Sequence, residues 1–356
     1  MDEATKIHSN IVNSLSEHKD DNLYPFQSNI KIIIKVHPSD TKRRYKITKI
    51  ELENHLIEDD EEAEYPISEL DQGIYGFVIK QNEELQSSNE YPEEWNSFYM
   101  LKELIQFVEN FKFKSNLVYP LTNSYNIFYR GQNHNFNLLP GIARSKQYDV
   151  ERLAENFELI YKDLCYEYQE LKYVPINLST ENDNLVGERV TQLALLQHYG
   201  FPTPLIDVTS SPFVGMFFLA HEFNVDTSFM GEIETPSLTI FMAKKHVKNS
   251  LFQRAEVNPV NHRLKPQNGS FIDYEMLSNE VKSSSDHAFH IVFQCDQEGV
   301  EEKDLKNMYD CIRKDIDCKL EEYHYRYIDL FPELENRADY IKNIYKPKPK
   351  DQSIYE

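Results

Sequence analysis

Hydrophobic and polar positions change their spacing several times along the chain, and each change marks an expected element. In NIKIIIKV and RRYKITKIELEN the Ile, Val and Tyr residues crowd or alternate as in strands. GIYGFVIKQN reads as a third strand, and the turn-forming HPSDTK separates the first two. Asn29 to Gln81 is therefore expected to form a small antiparallel unit behind a polar, loose or helical N-terminal arm. EEWNSFYMLKELIQFVENF changes to helical spacing, with Trp95, Phe98, Leu101, Leu104, Ile105 and Val108 on one broad face. NIFYRGQ is an aromatic-rich strand. VERLAENFELIYKDLCYEYQELK and ERVTQLALLQHYG are helices, the second stopped by Gly200. Ser211-Pro212 is a helix start, and the following PFVGMFFLAHEF is apolar nearly all round, so it belongs at the centre. SLTIFMAKK and HAFHIVFQCD read as core strands. Helices are expected over Glu301 to Tyr323 and Pro332 to Tyr345, before an untidy tail.

This irregular interleaving gives an α+β class with a mixed or antiparallel central sheet and packed helices. The chain divides at this level into 1–90 (arm and small β unit), 91–346 (main domain) and 347–356 (tail).

Composition narrows the function. No apolar run reaches the ~18–20 residues of a membrane span, and MDEATKIHSN has no apolar signal region, so a cytoplasmic protein is expected. The chain has 38 Lys+Arg against 59 Asp+Glu, a net charge of −21. That argues against general nucleic-acid binding and against an anionic membrane surface, while leaving room for a small anion in a local basic pocket. Cys165, Cys295, Cys311 and Cys318 form no CxxC pair, and Cys311 and Cys318 are expected to be buried thiols on one helix face. No metal site is indicated, since His198, His221 and His262 lack ligand spacing. P-loop, dinucleotide-fold and nucleophile-elbow motifs are all missing.

Three segments can carry chemistry. Arg130 ends an aromatic strand, where its charge needs an acceptor: either a phosphate or carboxylate ligand held bidentately, or an ion pair, with Asp207 as the candidate. Gly131 beside it admits a ligand or another backbone. In LLQHYGFPTPLIDVTSSP the Thr209-Ser210-Ser211 run sits on the N-terminal end of the apolar helix, where free amides suit an anion. Asp207 either orients Arg130 or His198, accepts hydrogen bonds from a ribose, or simply ties down the loop while Ser211 caps the helix. His198 is a catalyst or a structural histidine at a helix end. NHRLKPQNGSF adds Arg263, Gln267 and a turn at Gly269.

Taken in order, FYRGQ, LLQHYGFPTPLIDVTSSP and NHRLKPQNGSF resemble the FRG domain family, named for its Phe-Arg-Gly motif. Arg130, Gly131 and Gln132 fill its first segment. Gln197, His198, Gly200, Pro202, Thr203 and Asp207 fill the second, and Arg263, Gln267, Gly269 and Phe271 the third. The resemblance extends from about Trp95 to Tyr345. It implies a distant similarity to ADP-ribosyltransferases and bacterial settings of anti-phage defence and toxin action. On that footing Arg130, His198, Asp207 and Gln267 are the expected catalytic residues. Tyr129, Gly131, Gln132, Thr203, Thr209, Ser210 and Arg263 are expected to bind the cofactor, NAD. Arg130 holds its phosphates, and Thr209 and Ser210 stand near the nicotinamide ribose. Two departures matter. Pro204 replaces an arginine of the family pattern, leaving Arg144 or Arg263 to supply a second positive charge. Gln267 stands where a glutamate normally contacts the ribose, and it carries no negative charge. The alternative expectation is therefore a non-catalytic module for a nucleotide or other phosphorylated ligand, with the N-terminal unit engaging a protein partner.

Overall fold

The computed structural model describes residues 3–18, 21, 23–39, 44–53, 67–87, 97–114, 118–144, 149–176, 183–221, 235–245, 250–256, 260–277 and 287–344. Trp95, the second half of the HPSDTK turn and the tail 347–356 lie outside them. The strands are β1 (Gln27–Pro38), β2 (Tyr45–Glu53), β3 (Tyr125–Gln132), β4 (Leu205–Thr209), β5 (Ser237–Lys244), β6 (Phe252–Gln253), β7 (Gly269–Asp273) and β8 (His287–Cys295). Among the described residues they form one mixed sheet in the order β2-β1-β8-β5-β3-β4-β7-β6, so the expected α+β class is observed.

The helices are α1 (Glu3–Glu17), α2 (Ile67–Ser87), α3 (Ser97–Asn110), α4 (Val150–Glu167), α5 (Asp183–His198), α6 (Pro212–Ala220), α7 (Glu302–Glu322), α8 (Tyr327–Leu330) and α9 (Leu334–Ile344). One face of the sheet buries its apolar side chains against α2, α3, α6 and α7, the other against α1, α4 and α5. Alternation along β3 sends Tyr125 and Tyr129 to the first core and Phe128 to the second. Arg130, two residues on from Phe128, therefore belongs to the α5 side.

The antiparallel pair expected near the N-terminus is β1–β2, with Ile34 opposite Ile50. It is joined to the main sheet, because β1 also runs parallel to β8 with Ile32 beside Ile291. The third expected strand is not one: GIYGFVIKQN lies inside α2. The helix wins because Ile67, Leu70, Ile74, Val78 and Leu85 recur every three to four residues or multiples of that spacing, forming one buried stripe. The Asn82 side chain of α2 receives the Ile50 N–H at 2.8 Å and donates to the Ile50 carbonyl at 2.9 Å. At that point it occupies the edge of the outermost strand, where another chain could otherwise pair. Cys311 is only half-buried and Cys318 is exposed, so the expected pair of buried thiols is not formed; the buried stripe of α7 runs instead through Ile312, Ile316 and Leu320.

The polar N-terminal arm is a docked helix. His8 of α1 is buried, with Nε2 2.7 Å from Glu275 Oε1. Arg189 of α5 donates Nε to Glu275 Oε2 at 2.5 Å and Nη2 to Glu158 Oε2 of α4 at 2.8 Å. The guanidinium, facing two carboxylates, is well compensated for leaving water. Burial alone would raise the Glu275 pKa, but Arg189 and His8 bring it down to about 2. Its neighbour Asp273 goes the other way, to about 8, because it is buried and faces the Glu275 charge.

Asp273 is thus protonated in the native state where the unfolded chain is ionised. Its folded-state pKa lies above its unfolded value near 4, so its contribution is complete below that value and lost as pH rises through about 8. Asp273→Asn keeps an acceptor for the Glu275 N–H, which Asp273 Oδ1 accepts at 3.0 Å. Urea melts between pH 5 and pH 9 are expected to show stability falling with pH in the wild type and a visibly flatter profile in Asp273→Asn. Parallel profiles would refute the assignment.

Candidate functional site: a recessed arginine between two strands and a helix

Gly200, at φ +85°, turns the chain out of α5. Pro202 and Pro204 then hold an extended path into β4, which brings Asp207 beside the end of β3. Arg130 Nη1 donates to the main-chain carbonyl of Asp207 at 2.6 Å. No side-chain ion pair joins the two residues among those described. Arg130 Nε is buried with no partner. Burial pulls the guanidinium pKa down to about 10; Asp207 opposes the fall and Arg144 adds to it. The side chain is still cationic at neutral pH, with its buried Nε unmet.

Burial raises the Asp207 carboxyl above its ordinary value, although Arg130, Arg144 and a hydrogen bond from Gln197 pull the other way. The same side chain remains reachable by solvent. A group both densely surrounded and accessible lies in the wall of a recess, the shape expected of a small-ligand site. Gln197 Nε2 donates to Asp207 Oδ2 at 2.7 Å. Thr203 Oγ1 donates to Gln197 Oε1 at 2.5 Å and accepts the Leu205 N–H at 3.3 Å. This relay fixes the Gln197 amide and, through it, the carboxylate. Thr203, expected to touch cofactor, is buried behind Gln197.

Other expected residues are placed elsewhere. Tyr129 is buried on the opposite face of the sheet, its hydroxyl donating to Glu109 Oε1 of α3 at 2.5 Å, and burial with that carboxylate pushes its pKa up. Gly131 serves a second backbone rather than a ligand: a Cβ there would lie 1.8 Å from the Gly215 carbonyl oxygen of α6. Gln132 ends β3 half-buried, opposite Ser237. The N-terminal end of α6 is already occupied. Ser211 Oγ accepts the Val214 N–H at 3.4 Å, and Thr209 Oγ1 accepts the Ser211 N–H at 3.0 Å while donating to the Gln267 carbonyl at 2.6 Å. Ser210 keeps an exposed side chain.

Gln267 Nε2 donates to the Leu330 carbonyl of α8 at 3.0 Å. Arg263 is ion-paired to Glu333 and stacked on the Phe331 ring at 4.9 Å. His198 belongs with this second cluster. It is half-buried, and burial together with Arg263 lowers its pKa, Glu333 acting against them. Consecutive residues of a helix point about 100° apart. Gln197 accordingly reaches Asp207 while His198 is influenced by the Arg263 turn. Arg130 and Asp207 come together as expected; His198, Arg263 and Gln267 form a separate group.

Among the described residues no cluster of three or more His, Cys, Asp or Glu side chains could hold a metal ion. No described helix is long and apolar enough to cross a membrane.

The fold and this site define an α+β protein with an incompletely paired arginine in a recess between β3, β4 and α5. A family model of the FRG domain matches residues 125–227, and the chain therefore carries an FRG domain. The match contains Arg130, Gln197, Thr203 and Asp207 and ends before the segment from Arg263 to Phe271. No curated protein and no solved structure matches the chain.

Proposed function

We propose that the Arg130 recess binds a small phosphorylated ligand of the nucleotide type, with NAD as the candidate cofactor. The supporting observation is the unmet fork of Arg130: a guanidinium with a buried, unpartnered Nε and one main-chain acceptor favours an anion strongly. Asp207, held by Gln197, would accept a ribose hydroxyl beside that anion. Calorimetric titration with NAD and with ADP-ribose is expected to show binding by the wild type. Arg130→Ala should weaken it by about tenfold or more, the scale of lost hydrogen bonds to a charged group. Equal binding by both proteins, or by neither, overturns the reading.

Asp207 favours a second reading, turnover of the bound NAD. Gln267 carries no negative charge to stabilise an oxocarbenium-like ribose, and its amide is engaged with Leu330. The Asp207 carboxyl stands in the same recess as Arg130 and can supply that charge when ionised. Turnover would suit an ADP-ribosyltransferase-like or NAD-consuming effector, and depletion of a host's NAD would act as a toxin in anti-phage defence. Mass spectrometry of NAD after incubation separates the readings. Nicotinamide released by wild type and not by Asp207→Asn supports turnover; intact NAD throughout leaves the binding module.

A further inference from the structure

We propose that Arg144 is the second cation of this recess and that the two arginines select a diphosphate group over a single phosphate. This rests on the reading of the Arg130 recess as an anion site.

Arg144 closes the loop that follows β3. That loop is stitched to the segment between α5 and β4: the Ile142 N–H donates to the Thr203 carbonyl at 3.1 Å. Gly141 packs so closely there that a Cβ would come 3.0 Å from both Pro202 Cα and the Thr203 nitrogen. The loop therefore has a fixed seat on the residues that orient Gln197 and Asp207. Arg144 ends this seated loop beside Thr203, and its charge is felt by both Arg130 and Asp207. Its side chain is exposed, its Nε reaches only the Leu139 carbonyl at 3.4 Å, and no acidic residue pairs with it among those described.

Two guanidiniums thus lie within electrostatic reach of one carboxylate, and neither is ion-paired to it. They are anchored on different carbonyls, that of Asp207 and that of Leu139. Each therefore addresses its own phosphoryl group: Arg130 one in the recess, Arg144 the next towards the rim. A single phosphate satisfies the inner cation and leaves the outer one in water. A diphosphate spans both, and its extra charge is matched where the recess keeps an uncompensated positive charge.

ADP and AMP differ by that one phosphoryl group, so titrating both at constant ionic strength tests the assignment. The wild type is expected to prefer ADP by about tenfold or more. Arg144→Gln, an exposed change whose folding is checked by circular dichroism, should weaken ADP by about tenfold and AMP by less than about twofold, collapsing the ratio. Gly141→Ala, which crowds the loop against Pro202 and Thr203 and shifts it slightly, should move the ratio the same way. Overturning results are an ADP-to-AMP ratio unchanged in Arg144→Gln, or equal weakening of both nucleotides. If Arg130→Gln abolishes binding while Arg144→Gln keeps the ratio, the role of Arg144 alone fails. If the wild type binds neither nucleotide, the anion reading fails and this inference with it.

Discussion

Gly131→Ala is expected to destabilise the protein by about 3 kcal/mol or more, or to prevent folding outright. A Cβ at this position would stand 1.8 Å from the Gly215 carbonyl oxygen and 2.6 Å from the Leu219 nitrogen, both main-chain atoms of α6. No side chain can rotate away to relieve the overlap. The strand must move, or α6 must lift from the sheet and uncover Val214, Met216, Phe217 and Leu219, all fully buried. Gly76 provides the control. It lies on an open side of α2, where a Cβ would meet nothing within 4 Å, so Gly76→Ala should be neutral or stabilising by about 0.5–1 kcal/mol. Urea midpoints of the two variants should fall on opposite sides of the wild type, or the Gly76 variant on it. A Gly131→Ala protein that melts with the wild type would refute the close approach of β3 and α6.

Arg189→Met carries the second large effect, an expected loss of about 3–5 kcal/mol. The change leaves Glu158 and Glu275 ionised and buried without the guanidinium that faces both. Most of the cost belongs to the stranded charges rather than to the lost contacts. Adding Glu158→Gln and Glu275→Gln to Arg189→Met should therefore recover much of the stability. Denaturant melts of the single and triple variants decide the point. A single variant as stable as wild type, or a triple variant no better than the single, would show that these charges do not govern the seat of α1.

How far the sequence anticipates this structure depends on where the determining contacts lie. Helices α3, α4 and α5 and strands β5 and β8 follow from local spacing because each buries one face, or both, against neighbours. The Ser211-Pro212 start of α6 is equally local, and the Ser211 cap is found. α2 escapes because Ile, Tyr, Phe and Val around two glycines imitate a strand; its buried stripe shows only when the count extends from Ile67 to Leu85. The meeting of Arg130 with Asp207 is legible from motif order. The commitment of Gln267 and Arg263 is not, since their partners Leu330 and Glu333 come 63 and 70 residues later. The His8–Glu275–Arg189–Glu158 network is not legible in the sequence. It joins four distant positions, and its one sequence signal was the apolar spacing of Ile7, Ile11, Val12 and Leu15 in an otherwise polar arm.

The parallel neighbour of β1 is β8, so among the described strands the earliest in the chain waits for the latest. Until His287 to Cys295 has been synthesised, the Ile-rich ribbon of β1 and β2 has an open side. Such a delay is where nascent chains pair wrongly or recruit chaperones. Among the described residues, 125–227 contain only β3 and β4 of the sheet, joined by one bridge pair. The family-matched segment therefore leans on strands outside it, β5 against β3 and β7 against β4, to hold its recess in place.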